Sequence, residues 1–541
     1  MKATHKILAL VLAVMLLLAC TACAKTPASS VGTESKPEST ASTASSEEPS
    51  LFNVGTLPIV NEPVTLKILT MDPTARPFDT ADKAGLWAWL TEKTGITLEI
   101  ESYSTEEVQT KIPLIMATPD QMPDLFFRCN LTEADVMNYG QGGQLLCLDD
   151  LIEQYGTNVK KCFDTLDYAY GAAVSADGHI YSLPSYNASV SVCMYYMNSR
   201  WLENVGAETP KTLEELYEVF KLIKEKDANG NGDPSDEICL TGEPKTLKRN
   251  MLSIVGLSCY WPWQGVLVDA KDDQVFFVET SDQYKYMLQY LRKFYVEGML
   301  DQEVLTQTSD DRKAKLQADR VFMSEANGFD PEGKTFNGIT GAFVPTPLTS
   351  QVNDTPMWTS GAPYQTAIGL IAGNTKYPEV SFLLMDYLFS EEASRVAYWG
   401  LEGVDYKVVD ESTWQIESLG MTENFGLSYY KTPMLVPRWN RDEWTQPATT
   451  QLGNDRLDSI KQYSKMGFQN YLHFTTEEAD QLSVYESELG LFLDDYYAGF
   501  ITGTYDIDKD WDSYVAKCKT MGADKCVEIY QAAYNRYYGI G

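Results

Sequence analysis

From Val64 onward, short apolar runs rich in β-branched residues alternate with stretches of helical spacing. Val64–Thr70 (VTLKILT) reads as a strand, and Lys83–Thr94 (KAGLWAWLTEKT) as a helix that stops before Gly95. Thr97–Glu101 reads as a second strand, Glu106–Ala117 as a helix and Asp124–Phe127 (DLFF) as a third strand. This alternation predicts an α/β fold of βαβ units on a mainly parallel sheet. Ligands of such sheets lie beyond the carboxyl ends of the strands. The loops Met71–Phe78 and Arg128–Asn130 are therefore candidate site loops, with Asp72, Arg76, Arg128 and Asn130 as their polar members. Further on, Leu148–Ile152 follows the Gly-rich stretch Gly140–Gly143 as a loop and helix, and Asp177–Pro184 (DGHIYSLP) reads as a turn and strand. Pro210, then Thr212 with Glu215 three residues on, marks a helix start with a capping box. The chain is mostly helical from about Thr475, with no internal repeat.

The first fifty residues differ in kind. Lys2 and Lys6 precede the apolar run Ile7–Ala19, a signal-peptide pattern over residues 1–19 and too short for a membrane span. The run ends Leu17-Leu18-Ala19-Cys20, a bacterial lipobox in which Cys20 takes the lipid; Cys23 is the second choice, and a plain secretory signal the alternative. Residues 20–50 continue as a Ser/Thr/Pro/Glu tract that cannot bury enough surface to offset chain entropy, so a flexible tether is expected. Together these predict a protein held by lipid at the outer face of the cell membrane.

Composition narrows the rest. The 541 residues carry a net charge of −33, which opposes nucleic-acid binding, and 12% are aromatic, which excludes a disordered chain. That length favours two lobes or domains over one core. The ten cysteines follow no zinc or small-scaffold spacing; Cys518 and Cys526 lie near enough to bridge, with unpaired buried thiols the alternative.

Seven phrases occur in an order that matches one family: PDLFF (Pro123–Phe127), GGQLLCLDDLIEQYG (Gly142–Gly156), DGHIYSLPS (Asp177–Ser185), YYMNSRWLENVGAETPKTLEELYEVF (Tyr195–Phe220), KYPEVSFLLMDYLFSEE (Lys376–Glu392), WGLEGVDYKV (Trp399–Val408) and the run Phe500–Arg536. From about Pro63 to its end the chain resembles the extracellular solute-binding proteins (family 1) of ABC importers, in their large, calcium-containing, oligosaccharide-binding lipoprotein branch. The resemblance implies a two-lobed clamshell of the periplasmic-binding-protein kind, with discontinuous lobes and a helical C-terminal region. On that pattern residues 63–185 and 343–411 build one lobe, and 186–342 and 412–541 the other. It also implies a monomer that delivers a carbohydrate to permease subunits.

The stretch Asp227–Glu237 (DANGNGDPSDE) sets oxygen-bearing side chains at alternating positions around glycines, a pattern that wraps a hard cation such as calcium. It begins like an EF-hand loop but departs at position twelve, which is Ile238. The resemblance implies Asp227, Asn229, Asn231, Asp233, Asp236 and Glu237 as ligands of a structural Ca2+. An Asn/Asp/Gly-rich surface turn without metal is the competing reading.

Sugars present C–H faces and hydroxyls, so their sites pair aromatic platforms with acids, amides and Arg. Trp261, Trp263, Trp358, Trp399 with Glu402, and Trp439 stand in irregular segments as candidate platforms, and Tyr186 and Asn187 follow the Leu-Pro-Ser turn. Core packing competes with this reading for every ring. Trp87, Trp89, Trp201 and Trp511 lie on helical stripes and are expected in the core. No HExxH, GxSxG, Walker or GxGxxG motif is present, so no catalytic residue is assigned and a non-enzymatic binding protein is expected. Three rivals remain: a secreted glycoside hydrolase, which needs only two carboxylates, a tethered adhesin, and a peptide or amino-acid receptor on the same fold.

Overall fold

Strand Val64–Met71 alternates its side chains between two layers: Leu66 and Ile68 enter one core, Leu69 and Met71 another on the opposite face of the sheet. It pairs in parallel with Ile96–Tyr103 and with Leu125–Phe127, and the helices Leu86–Thr94 and Thr105–Met116 complete the expected βαβ units. The second helix starts on a capping box, in which the Ser104 hydroxyl accepts from the Glu107 N–H and the Glu107 carboxylate from the Ser104 N–H. The coordinates are a computed structural model that describes residues 50–71, 86–187, 192–259, 266–325, 341–410, 415–419, 436–441, 451–467 and 472–540.

Six strands form the first sheet, in the order Arg438–Trp439, Ser182–Tyr186, Tyr364–Ile371, Leu125–Phe127, Val64–Met71, Ile96–Tyr103. The sheet is mainly parallel, as expected: five of its six strands run one way and a single strand opposes them. Tyr364–Ile371 enters the middle from a distant part of the chain and runs antiparallel to both neighbours. A bulge between Gln365 and Gly369 bends it, with Ala367 at φ +53°.

A second sheet, Ala342–Phe343, Tyr195–Asn198, Val321–Glu325, Ile238–Thr241, lies in a separate core with Trp201, Phe220, Phe294 and Phe322. Helix Leu213–Glu225 feeds that core through Leu216, Val219, Phe220 and Ile223, and Thr212 caps it by accepting from the Glu215 N–H at 3.1 Å. The C-terminal helices Thr476–Thr502, Ile507–Thr520 and Ala523–Tyr538 pack into the same core through Leu489, Phe500, Trp511, Tyr514 and Tyr530. Gly503 ends the first of them at φ +86°, a left-handed cap that favours glycine.

The chain changes core between Tyr186 and Val192, between Trp358 and Tyr364, and between Trp439 and Leu472. These changes differ from the expected boundaries at two places. Leu348 and Trp358 pack in the second core, while Val436 and Trp439 pack in the first, because their strands pair there. All eight described cysteines are free, Cys518 and Cys526 among them. Among the described residues no helix is long and apolar enough to cross a membrane.

Candidate functional site

Between the first sheet, with the cores on its two faces, and the core of the second sheet a cleft of about 1050 Å3 opens. One wall is the carboxyl end of strand Leu125–Phe127, with Arg128 and Asn130, together with the bulged segment Tyr364–Ile368. The other wall is helix Thr476–Thr502, which presents Asp480, Leu482, Ser483 and Glu486, flanked by Phe474 and Tyr530. Three non-glycine residues of the first wall adopt positive φ: Arg128 (48°), Asn130 (55°) and Ala367 (53°). Such backbone costs about 1–3 kcal/mol per residue and collects at binding sites. Here a bond from the Arg128 N–H to the Ile368 carbonyl (2.7 Å) ties the two strained segments together.

Behind this wall a polar chain runs along the sheet. The buried Arg438 donates through Nε to Asn440 Oδ1 (3.0 Å), and Asn440 Nδ2 donates to Asn187 Oδ1 (3.3 Å). Burial, with the charge of Arg128 adding to it, lowers Arg438 to about 10, so it stays charged at neutral pH. On the opposite wall burial raises the Glu486 carboxyl, although the Tyr530 hydroxyl donates to it at 3.2 Å.

His473, between the lining residues Leu472 and Phe474, joins the two sides of the cleft. Its Nδ1 meets the Glu133 carboxylate and its Nε2 lies 2.8 Å from the Gly171 carbonyl, in helices packed on the two opposite faces of the first sheet. Burial alone would lower the imidazole, but the Glu133 carboxylate and the Gly171 carbonyl outweigh it and hold the group above its ordinary value. Two acceptors facing two ring nitrogens require both to carry protons.

Arg128 and Asn130 line the cleft as their strand-end position predicts. Other candidate residues do not. Tyr186 is fully buried with its hydroxyl bonded to the Ala169 carbonyl, and Trp358 is fully buried against Tyr195 with Nε1 donating to Ser459 (2.8 Å). A ring whose faces are covered by protein cannot stack on a sugar, so both are packing residues here. Trp439 is buried under the Arg441 guanidinium, 4.1 Å from the ring centre. Trp399 is half-buried against the first core, Glu402 is exposed in a turn bridged to Tyr406, and Asn187 holds the polar chain. Asp72, Arg76, Trp261, Trp263, Cys20 and Cys23 lie outside the described residues. Trp87, Trp201 and Trp511 are buried and Trp89 packs on the first core, as their stripes predict. Sequence reasoning missed Gln365, Asp480, Glu486 and His473. The one usable signal was the N-cap Thr475 with Glu478, which opens the helix carrying two of them.

The loop Asp227–Glu237 is wound on its own side chains. Asp227 accepts from the N–H groups of Gly230 (2.8 Å), Asn231 (3.0 Å) and Gly232 (2.7 Å). The Asp236 carboxylate takes the amides of Asn229 (3.0 Å) and Asn231 (3.1 Å). Glu237 is 2% exposed; Oε1 accepts from the Ala228 N–H at 2.9 Å, while the buried Oε2 has no partner among the described residues. A buried carboxylate oxygen without a donor is costly, and a hard cation would satisfy it. The donor set, all oxygen and rich in carboxylate, fits calcium.

A profile of the bacterial extracellular solute-binding protein family matches residues 73–395, more than half of the chain. The chain belongs to that family. Among its relatives is the fructooligosaccharide ABC transporter substrate-binding protein FusA of Streptococcus pneumoniae, 24% identical over 522 residues that cover 92% of this chain and 94% of FusA. Lipoprotein LipO of Bacillus subtilis is 23% identical, over 87% of this chain and 93% of its own. The structure of FusA in complex with kestose superposes with a TM-score of 0.69, 23% identity, and cover of 88% of this chain and 100% of that one. An EF-hand mutant of FusA with fructo-nystose gives 0.68 at 22% identity, covering 88% of this chain and 100% of that one. A solute-binding protein of Bifidobacterium longum infantis that binds HMO gives 0.73 at 20% identity, with cover of 88% and 99%. These likenesses establish the two-lobed α/β architecture of the family.

Proposed function

We propose that this solute-binding protein captures an oligosaccharide in the cleft between its two cores and delivers it to the permease of an ABC importer. The observation that carries the reading is the cleft itself. It is large enough for several sugar rings, is walled by both cores, and offers donors (Arg128, Asn130, Gln365) opposite carboxylates (Asp480, Glu486). FusA and the HMO-binding protein are named for oligosaccharides, which supports a ligand of that class. The first lobe would comprise residues 63–187, 364–410 and 436–441, and the second 192–358 and 472–540. Cys20 would carry the lipid that holds a monomer at the extracellular face, and residues 20–50 the tether. Asp227, Asn229, Asn231, Asp233, Asp236 and Glu237 would hold a structural Ca2+ that pins its loop and takes no part in ligand chemistry.

A thermal-shift screen of the whole chain against oligosaccharides, free amino acids and peptides tests the reading. Oligosaccharides alone are expected to raise the melting temperature, and to be recovered without new reducing ends. A shift with peptides and none with sugars would overturn it. Recovery of cleaved sugar would assign the cleft carboxylates to a hydrolase instead.

A further inference from the structure

The two cleft walls differ in charge. Helix Thr476–Thr502 turns Asp480, Ser483 and Glu486, spaced i, i+3, i+6, along one stripe of the cleft. The first wall adds Glu133 and Asp135, but His473 takes the Glu133 carboxylate and Asp135 is spent on the N-terminus of its own helix, accepting from the Thr132 N–H. Among the described lining residues these four acids face one guanidinium, Arg128, and the nearby protonated His473 is already paired with Glu133. A neutral hydroxyl can donate to Asp480 or Glu486; a uronate carboxylate cannot, and meets a like charge in a partly enclosed space. One guanidinium can serve a single carboxylate, whereas a polyuronate brings one for every residue.

We infer that the cleft takes an uncharged oligosaccharide, and that Asp480 and Glu486 are the specificity residues that reject uronate-bearing chains of the same length. This rests on the oligosaccharide reading and deepens it. The two carboxylates act as hydroxyl acceptors for the accepted ligand and as the repulsive element against the acidic one. The helix face carries both functions without an aromatic platform of its own.

The experiment compares the native chain with Asp480→Asn/Glu486→Gln by calorimetric titration. The ligands are neutral oligosaccharides that produce a thermal shift and oligogalacturonates of matched length, each at about 0.02 and 0.3 M salt. The native protein is expected to bind the neutral chain at least tenfold more tightly, with the gap narrowing at high salt as screening weakens the repulsion. In the double variant the neutral ligand weakens and the gap falls to threefold or less. A native protein that binds the uronate as well as the neutral chain overturns the inference while leaving the oligosaccharide reading intact. A gap unchanged by both salt and the double substitution overturns the role of the two residues. If no saccharide of either kind binds, the oligosaccharide reading fails and the inference falls with it. Should the variant not fold, the salt series on the native chain decides the electrostatic claim alone.

Discussion

At His473 one imidazole faces two acceptors, the Glu133 carboxylate and the Gly171 carbonyl, while the Arg536 guanidinium donates to the His473 carbonyl (3.0 Å) and to Glu478. The Glu133 carboxylate and the Gly171 carbonyl hold the folded imidazole above its ordinary value, against the lowering effects of burial and of the Arg536 charge. A raised folded value stabilises fully below the unfolded pKa of about 6.5 and loses that contribution as pH rises through the folded value. Replacing His473 by Gln is therefore expected to lower stability by about 1.5–3 kcal/mol near pH 6, the range for charge-assisted hydrogen bonds. The difference from the native chain should shrink as pH increases. Denaturant titrations of both proteins from pH 5.5 to 8.5 check this, and a difference that grows with pH would contradict it. A tryptophan poses the opposite question, because its residue type is compatible with a platform and with a core. Trp358 is closed on all sides, so Trp358→Ala should cost about 3–5 kcal/mol of stability, whereas a ligand platform would lose affinity at unchanged stability. Urea midpoints alongside ligand titration separate the two.

Among the elements, the loop Asp227–Glu237 is the clearest case in which local sequence dictates local structure. Alternating Asx side chains bond the backbone two to five residues on, and Gly230 and Gly232 take the positive φ values of 78° and 93° that the winding needs. The helix start at Thr212 with Glu215 was legible for the same reason, and Ser104 with Glu107 and Thr475 with Glu478 prove to be caps of the same local kind. Arg128 and Asn130 were legible because strand ends follow from the apolar pattern. The bulge at Ala367 was not, as alanine carries no mark of positive φ, nor was the pairing of Arg438–Trp439 with Ser182–Tyr186 across some 250 residues. Asp480 and Glu486 looked like any other acids on a solvated helix until the opposing wall placed them in a cleft. With the proposed Ca2+ in the loop, binding to the folded state alone gives about 2.7 kcal/mol at a hundredfold excess over Kd. Chelator should thus lower the melting temperature, calcium restore it, and Glu237→Gln abolish the difference, as read by calorimetry. An unchanged melting temperature after chelation would remove calcium from the account.

For the molecule as a whole, three chain crossings join the first sheet's cores to the second core, the arrangement in which cleft walls can move relative to each other while each core stays packed. A ligand biases such an equilibrium only by its differential affinity for the two arrangements. Shifting it from 1:99 to 99:1 requires about 5.5 kcal/mol of difference, whereas a micromolar Kd corresponds to about 8.2 kcal/mol in total. For a ligand of micromolar Kd that drives a shift of this size, most of the binding free energy would come from contacts that form only when both walls engage it. A monosaccharide held by Arg128 and Asn130 alone could bind without closing the lobes. An oligosaccharide that also reaches Asp480 and Glu486 could not bind at full affinity without closing them. Small-angle scattering is expected to show a smaller radius of gyration with a saturating oligosaccharide and no change with a saturating monosaccharide. A variant with Glu486→Ala should keep part of the affinity while losing contraction. Equal contraction with both ligands would mean that one wall suffices to drive closure, and that the length of the ligand is read elsewhere than across this cleft.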